Sequence, residues 1–308
     1  MMLRSKRRDA RAITYHYDVS NEFYALFLDP RMVYTCAYYR RPDGDLARAQ
    51  EDKLDLVCRK LRLEPGDRLL DIGCGWGSLV LWAAERYGVR AHGVTLSAAQ
   101  AEYAQAAIRR AGLDGRATVE LRDYRDLPPD LRFDKVAAVG VIEHIGPRAM
   151  PAYFARVHDF LEPGGLFLSH GITHEKFNQR SSAIRFLERY VFPNAELDDV
   201  SHTVDQIERA HFEIVDVEGL RLHYARTCRQ WAERLIANHE RARSLVGERT
   251  YRIWAAYLAA SSMGFAKGWT GLYQVVGMRP NPAVIGGAPP TREAIYAPAQ
   301  SAALARVS

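Results

Sequence analysis

The chain has 308 residues, 48% hydrophobic and 26% charged, and 42 Lys and Arg against 37 Asp and Glu give a formal charge of +5. That length and composition suit one large domain with an ample buried core. No secretory leader is visible and no apolar run reaches the ~18 residues of a membrane span. The four cysteines, Cys36, Cys58, Cys74 and Cys228, are widely spaced without metal-type pairing, so the expectation is a cytoplasmic protein with reduced thiols and no metal site.

The chain opens on a basic tail, residues 1–15, holding Arg4, Lys6, Arg7, Arg8 and Arg11. Its default state is solvated. Its sharper use is contact with an anionic membrane or an acidic carrier protein, and no nucleic-acid partner is expected. One domain then spans residues 16–280. Residues 48–62 carry a helical pattern. "DRLLDIG" is a short apolar strand and "SLVLWAAERYG" a helix closed by Gly88. "VRAHGVTLS" is the next strand, and the Ala-rich "AAQAEYAQAAIRRAG" a helix ending at Gly112. "ATVELRDY" and "FDKVAAVGVI" are strands, "RAMPAYFARVHDFL" a helix, and "GGLFLSHGI" a further strand. Such alternation predicts an α/β fold with a mainly parallel, doubly wound sheet. Residues 281–308 form a tail rich in Pro, Gly and Ala whose outer part reads as loosely held.

Between the first strand and its helix stands Asp71-Ile72-Gly73-Cys74-Gly75-Trp76-Gly77. Ligands of such sheets bind at the carboxyl ends of the strands, where a glycine lets the backbone approach closely and a helix N-terminus offers free N–H groups. The spacing is not the G-x-G-x-x-G of a dinucleotide turn. It leans towards a loop for S-adenosylmethionine, with a glycine-rich turn that binds nothing as the alternative. The second strand ends in "GVTLSAAQ", which has no ribose-gripping carboxylate, only Thr95 and Gln100. On these grounds alone the cofactor stays open.

Six ordered segments add to this reading. They are "HYDVSNEFYALFLDPRMVYTCAYY", "LDIGCGWGSLVLWAAERYGVRAHGVTLSAAQ", "VIEHIG", "SHGI", "HYARTCRQW" and "GLYQVV". Together, from His16 to Val276, the chain resembles the cyclopropane-fatty-acyl-phospholipid synthase family, which includes the mycolic acid cyclopropane synthases. The resemblance implies a Rossmann-like methyltransferase fold with helical acyl-site insertions and S-adenosylmethionine as methyl donor. By motif match, Tyr34 and Thr35 lie near the cofactor, Asp71, Gly73 and Gly75 at its methionine end, Thr95, Leu96 and Gln100 on its ribose side, and Asp123 and Tyr124 beside the adenine. The family transfers the methyl to the cis double bond of an unsaturated fatty-acyl chain, carried on a phospholipid or an acyl carrier. A bound bicarbonate then takes the proton that ring closure releases. Its ligands map onto the Cys36 backbone, Glu143, His170, the Ile172 backbone and Tyr224.

Each of these residues also has a plainer reading: Cys36 as a small buried residue, Glu143 in a structural pair, His170 as a core histidine, Tyr224 as a helix anchor. Residues 16–60 are expected to supply a lid and a helix, with His16–Tyr39 closing over the cofactor. Residues 177–270 are expected to supply substrate-side insertions. Within them Phe177–Leu222 interrupts the sheet, and Leu197-Asp198-Asp199 departs from the family's usual Leu-Pro-Ser step. The helices "RQWAERLIANHERARSLV" and "TYRIWAAYLAASSMGFAKG" carry Trp231, Leu235, Ile236, Trp254, Tyr257, Leu258, Met263 and Phe265, for an acyl tunnel or ordinary core. The chain begins almost at the catalytic domain, as the mycolic-acid type does, which weakens the expectation of a bilayer substrate. Other readings are a small-amine N-methyltransferase of the same family and a non-catalytic cofactor- or lipid-binding protein.

Overall fold

The computed structural model describes residues 19–174, 197–283 and 291–296. Its strands are β1 (Arg68–Ile72), β2 (Arg90–Thr95), β3 (Ala117–Leu121), β4 (Phe133–Val139), β5 (Leu161–His174), β6 (Glu213–Gly219) and β7 (Thr270–Met278). They form one sheet in the order β3-β2-β1-β4-β5-β7-β6. β1 to β5 run parallel, and β7 lies antiparallel between β5 and β6. This is the doubly wound sheet predicted, completed by one reversed strand. The helices are α1 (Asn21–Ala25), α2 (Leu46–Lys60), α3 (Ser78–Tyr87), α4 (Ala98–Arg110), α5 (Ile142–Ile145), α6 (Met150–Phe160), α7 (Val200–Arg209), α8 (Arg221–Ala237), α9 (His239–Lys267) and α10 (Glu293–Tyr296).

Successive side chains of a strand point to opposite faces, so these apolar runs feed two cores. Leu69, Ala137, Leu166, Leu168 and Val276 meet α2, α3 and α4 through Leu54, Val57, Val80, Ala83 and Ala104. Leu70, Ile72, Val136, Ala138, Phe167 and Val275 meet α6 and α7 through Phe154, Val157 and Ile207. Asp45 and Ser97 start α2 and α4 by accepting from the N–H groups of Arg48 and Gln100. A third core is built of rings. Phe23 and Tyr24 of α1, with Phe27, pack on Trp231 of α8 and Trp254 and Tyr257 of α9, and Trp76 of the glycine turn joins them. The Tyr24–Trp76 centroids are 4.9 Å apart and Tyr34–Trp231 5.2 Å.

Some expectations change. The stretch 177–222 is not all insertion: its described part begins at Leu197, and Asp199 caps α7, whose Ile207 packs on the sheet, while β6 is a strand of that sheet. A charged edge strand resembles a loop in sequence because only one side of it is buried. The long helices are differently divided: α8 starts at Arg221, the chain turns at Asn238, and α9 is broken at Gly247. Ile236 and Met263 are exposed rather than turned inward. Arg292 of the tail pairs with Asp216 at 2.7 Å, and the outer part of the tail lies outside the described residues. Residues 19–39, the expected lid, are packed down, with Phe23, Tyr24, Phe27 and Cys36 fully buried, so opening that segment would put the rings of Phe23, Tyr24 and Phe27 in water. The basic tail and His16 lie outside the described residues.

The Lys60 side chain is wholly buried, and its Nζ lies 2.7 Å from Asp216 and 2.5 Å from Glu218. It thus ties α2 to the edge strand. Lys60→Met would leave two carboxylates facing an apolar group. We expect a loss of about 3–5 kcal/mol in denaturant unfolding, where an exposed ion pair would give less than about 1 kcal/mol.

Candidate active site

The strand order reverses between β1 and β4, and the turns leaving these strands open a crevice at their carboxyl ends. The turn after β1 is fixed by Gly73 and Cys74, whose N–H groups both donate to the Val94 carbonyl at 2.9 and 3.0 Å. A Cβ on Gly73 would stand 2.7 Å from Val141 in the turn after β4, so the two turns touch. At Gly75 the backbone has φ +55°, and a Cβ there would meet nothing within 4 Å. The crevice is therefore open at Gly75, as a cofactor cradle requires.

The segment before the sheet folds back over this crevice. Ser78 donates to the Arg31 carbonyl at 2.7 Å, and Trp76 Nε1 to Asn21 Oδ1 at 2.8 Å. Thr35 lies against Gly140, at the end of β4. Its hydroxyl accepts from Lys53 Nζ at 3.1 Å, and its carbonyl from Gln50 Nε2 at 2.8 Å. Tyr34 sits in the ring cluster, its hydroxyl 3.3 Å from that of Tyr257. On the β2 side, Thr95 donates to Gln100 Oε1 at 2.8 Å and accepts from the Ser97 N–H at 3.2 Å, with Leu96 between them half-buried. Asp123 is held by Arg125 through both carboxylate oxygens, at 2.9 and 2.6 Å. Tyr124 packs edge-on against Tyr153 at 5.5 Å. Thus Tyr34, Thr35, Asp71, Gly73, Gly75, Thr95, Leu96 and Gln100 sit at the crevice or on the elements that build it. Asp123 and Tyr124 follow the carboxyl end of β3, on the same side of the parallel sheet, and Tyr124 packs on the cluster that holds Ile72, Val94 and Ile142.

The five residues expected to hold an anion come from distant parts of the chain. Glu143, on α5, accepts from the Ile172 N–H through Oε1 at 2.8 Å. Its Oε2 is buried without a partner. Burial pushes this carboxyl up to about 7, against the pull of the Ile172 N–H. His170, two residues before Ile172 on β5, is 1% exposed. Its Nδ1 lies 3.0 Å from the Gln274 amide, and its Nε2 is buried without a partner. Burial holds the imidazole down at about 3, with Lys53 and Lys60 adding to the effect, so the ring is neutral. Tyr224 stacks on Phe265 at 4.5 Å, and burial pushes its hydroxyl well above the usual phenol range. The Cys36 thiol is pushed well up by burial and points at the Ala37 carbonyl at 3.2 Å. A thiol so held is no thiolate nucleophile.

Sequence reading passed over Gln50, Lys53 and Gln274. Gln50 and Lys53 lie on the buried stripe of α2, a polar pair at helical spacing among apolar residues. Lys53 is lowered to about 8 by burial, opposed by Asp29, Cys36 and Asp71. Asp71 is pushed up to about 7 by burial, and Lys53 opposes that. Gln274 is the polar residue of "GLYQVV", and that intrusion into an apolar strand is its only signal.

The model of the mycolic acid cyclopropane synthetase family matches residues 4–275. A probable fatty acid methyltransferase of Pseudomonas putida is 46% identical over 294 residues, 94% of this chain and 75% of that protein. The cyclopropane-fatty-acyl-phospholipid synthase of Escherichia coli is 39% identical over 274 residues, 89% of this chain and 69% of that protein. Against other curated relatives the chain spans less, 65% of a probable fatty acid methyltransferase of Mycobacterium tuberculosis and 54% of a sphingolipid C9-methyltransferase of Emericella nidulans. Among solved structures, the mycolic acid cyclopropane synthase CmaA1 complexed with SAH and CTAB superposes with a TM-score of 0.84 at 31% identity, covering 90% of this chain and 99% of that one. The chain belongs to the mycolic acid cyclopropane synthetase family and is a methyltransferase of the cyclopropane synthase type.

Proposed function

We propose that the protein methylates the cis double bond of an unsaturated fatty-acyl chain with S-adenosylmethionine, and that a bicarbonate held by Glu143, His170 and Tyr224 takes the proton when the ring closes. The observation that carries this reading is a pair of buried, partnerless polar atoms, Glu143 Oε2 and His170 Nε2, on elements beside an open glycine turn. Such atoms cost free energy unless a ligand satisfies them.

When bound, the cofactor supplies an electrophilic methyl group. Gly73 and Gly75 give it room at the turn, and Thr95 and Gln100 supply hydroxyl and amide groups on the ribose side. Glu143 Oε2 accepts the O–H of a small anion, the neutral imidazole of His170 and the Tyr224 hydroxyl meet its other oxygens, and the Cys36 and Ile172 backbones complete the enclosure. The anion then serves as a proton acceptor and as a counter-charge to a cation on the acyl chain. The rings of Trp231, Trp254, Tyr257 and Phe265 exclude water that would trap that cation, and aromatic faces attract positive charge. A small-amine acceptor would leave the Glu143–His170 pair without a task. Among the described residues no helix is long and apolar enough to cross a membrane, so the acyl chain is reached at a membrane face or on a carrier.

Incubating the protein with labelled S-adenosylmethionine and monounsaturated phospholipid should add one methylene's mass to the acyl chain, with fragmentation showing a ring. Label appearing only on added amines would exclude the reading. For the cofactor turn, Gly75→Val should abolish S-adenosylmethionine binding by calorimetry while costing about 1–2 kcal/mol of stability for its left-handed backbone; unchanged affinity would misplace the cofactor. For the anion site, Glu143→Gln should keep cofactor affinity and lower turnover about ten- to a hundred-fold, the worth of one charge-assisted hydrogen bond of about 1.5–3 kcal/mol. Added bicarbonate should restore part of the rate. Wild-type turnover by Glu143→Gln in bicarbonate-depleted buffer would remove both residue and ion from proton transfer.

A further inference from the structure

We infer that Gln274 is a positioning residue that fixes His170 as the Nε2–H tautomer, so that the site presents one donor, His170 Nε2–H, and one acceptor, Glu143 Oε2, to the same small ligand. The inference rests on the reading above for the ligand's identity, but not for the tautomer.

Gln274 is fully buried in β7, directly opposite His170 of β5 in the antiparallel register. Paired residues of adjacent strands show their side chains on the same face. The Gln274 amide nitrogen lies 3.0 Å from His170 Nδ1. With the amide nitrogen facing the ring as placed, the N–H donates, Nδ1 is the acceptor and the proton of the neutral ring resides on Nε2, while Gln274 Oε1 is itself buried without a partner among the described residues. That nitrogen has no partner among the described residues, which leaves its N–H available to a ligand. Glu143 is arranged in the opposite sense. Its Oε1 is spent on the Ile172 N–H, and its Oε2 is left as the outward acceptor. A species that both accepts and donates on adjacent oxygens, as hydrogencarbonate does, satisfies both orphans at once. With the other tautomer the site would offer two acceptors and would repel an anion.

The same row accounts for why a glutamine serves here. On its other side Gln274 is paired in register with Glu218 of β6, whose carboxylate is bound to Lys60. A charged residue at position 274 would stand between the neutral imidazole and this ion pair and would need a counter-charge of its own. The uncharged amide links His170 to the sheet edge without one.

The test is nitrogen NMR on the full-length protein with ring-labelled histidine, the His170 signals being assigned by their loss in His170→Asn. The wild type should carry its His170 proton on Nε2. Gln274→Met, unbranched and similar in length, should remain folded and show both tautomers. It should also bind carbon-labelled hydrogencarbonate about tenfold more weakly with unchanged S-adenosylmethionine affinity. Gln274→Leu serves the same comparison if the Met variant does not fold. A wild-type proton on Nδ1, or a folded Gln274 variant that keeps the wild-type tautomer, would overturn the inference. The expected tautomers without any hydrogencarbonate binding would support the role of Gln274 and reject the bicarbonate reading instead.

Discussion

A sheet covered on both faces holds no water, so every polar side chain inside it must find its partner within the protein. On the face under α2 this protein buries Asp71, His170, Asp216 and Gln274, together with Lys53 and Lys60 from the helix. Most of the arrangement described above follows from that constraint. Lys60 answers Asp216 and Glu218, Lys53 answers Thr35 and opposes the burial of Asp71, and Gln274 answers His170. Buried polar atoms without a partner among the described residues occur at several places, Trp82 Nε1 and Tyr153 Oη for example, and Glu143 Oε2 and His170 Nε2 are two of them that sit on α5 and β5 near the glycine turn.

The ring cluster above the strand ends solves a related problem. Methyl transfer to a double bond needs a dry enclosure, yet a pocket open to a long acyl chain tends to be wet. Here the wall is made of rings that pack edge to face, Phe23 against Trp254 at 5.5 Å and Tyr24 against Trp254 at 5.5 Å. The chain before the sheet is tied into this wall by backbone bonds, Ala37 to the Thr227 hydroxyl at 3.1 Å and Tyr39 to His223 Nδ1 at 3.0 Å. Cys36 is thereby held in place by its neighbours, fully buried.

The sequence carries the parallel half of the fold openly, because β1 to β5 are apolar runs bounded by turns and alternate with helices. The glycine turn and the Thr95–Gln100 pair lie within thirty residues of one another, so local pattern reaches them. The remainder depends on register. No periodicity in "GLYQVV" can say that Gln274 stands opposite His170, a pairing across 104 positions. Lys53 and Lys60 look like surface lysines until α2 is seen to bury them. β6 was hidden for the same reason that it is stable: it is a half-covered edge whose Glu213, Asp216 and Glu218 read as loop, while two of these are partners of Lys60. The anion-site residues, from Cys36 to Tyr224, were named by resemblance, since no spacing rule joins them.

The place of β7 has a consequence for where the chain can be cut. Among the described residues the last strand in sequence is not the last in space: it enters between β5 and β6, and β6 pairs with no other described strand. A chain stopped before Thr270 would therefore lose two strands rather than one, with His170 left beside an open edge. The glycine turn, built from β1, β2 and α3, would keep its strand neighbours. Such a fragment would retain the elements around the cofactor turn and keep His170 itself, but would lose Gln274 and the strand that holds His170 in register.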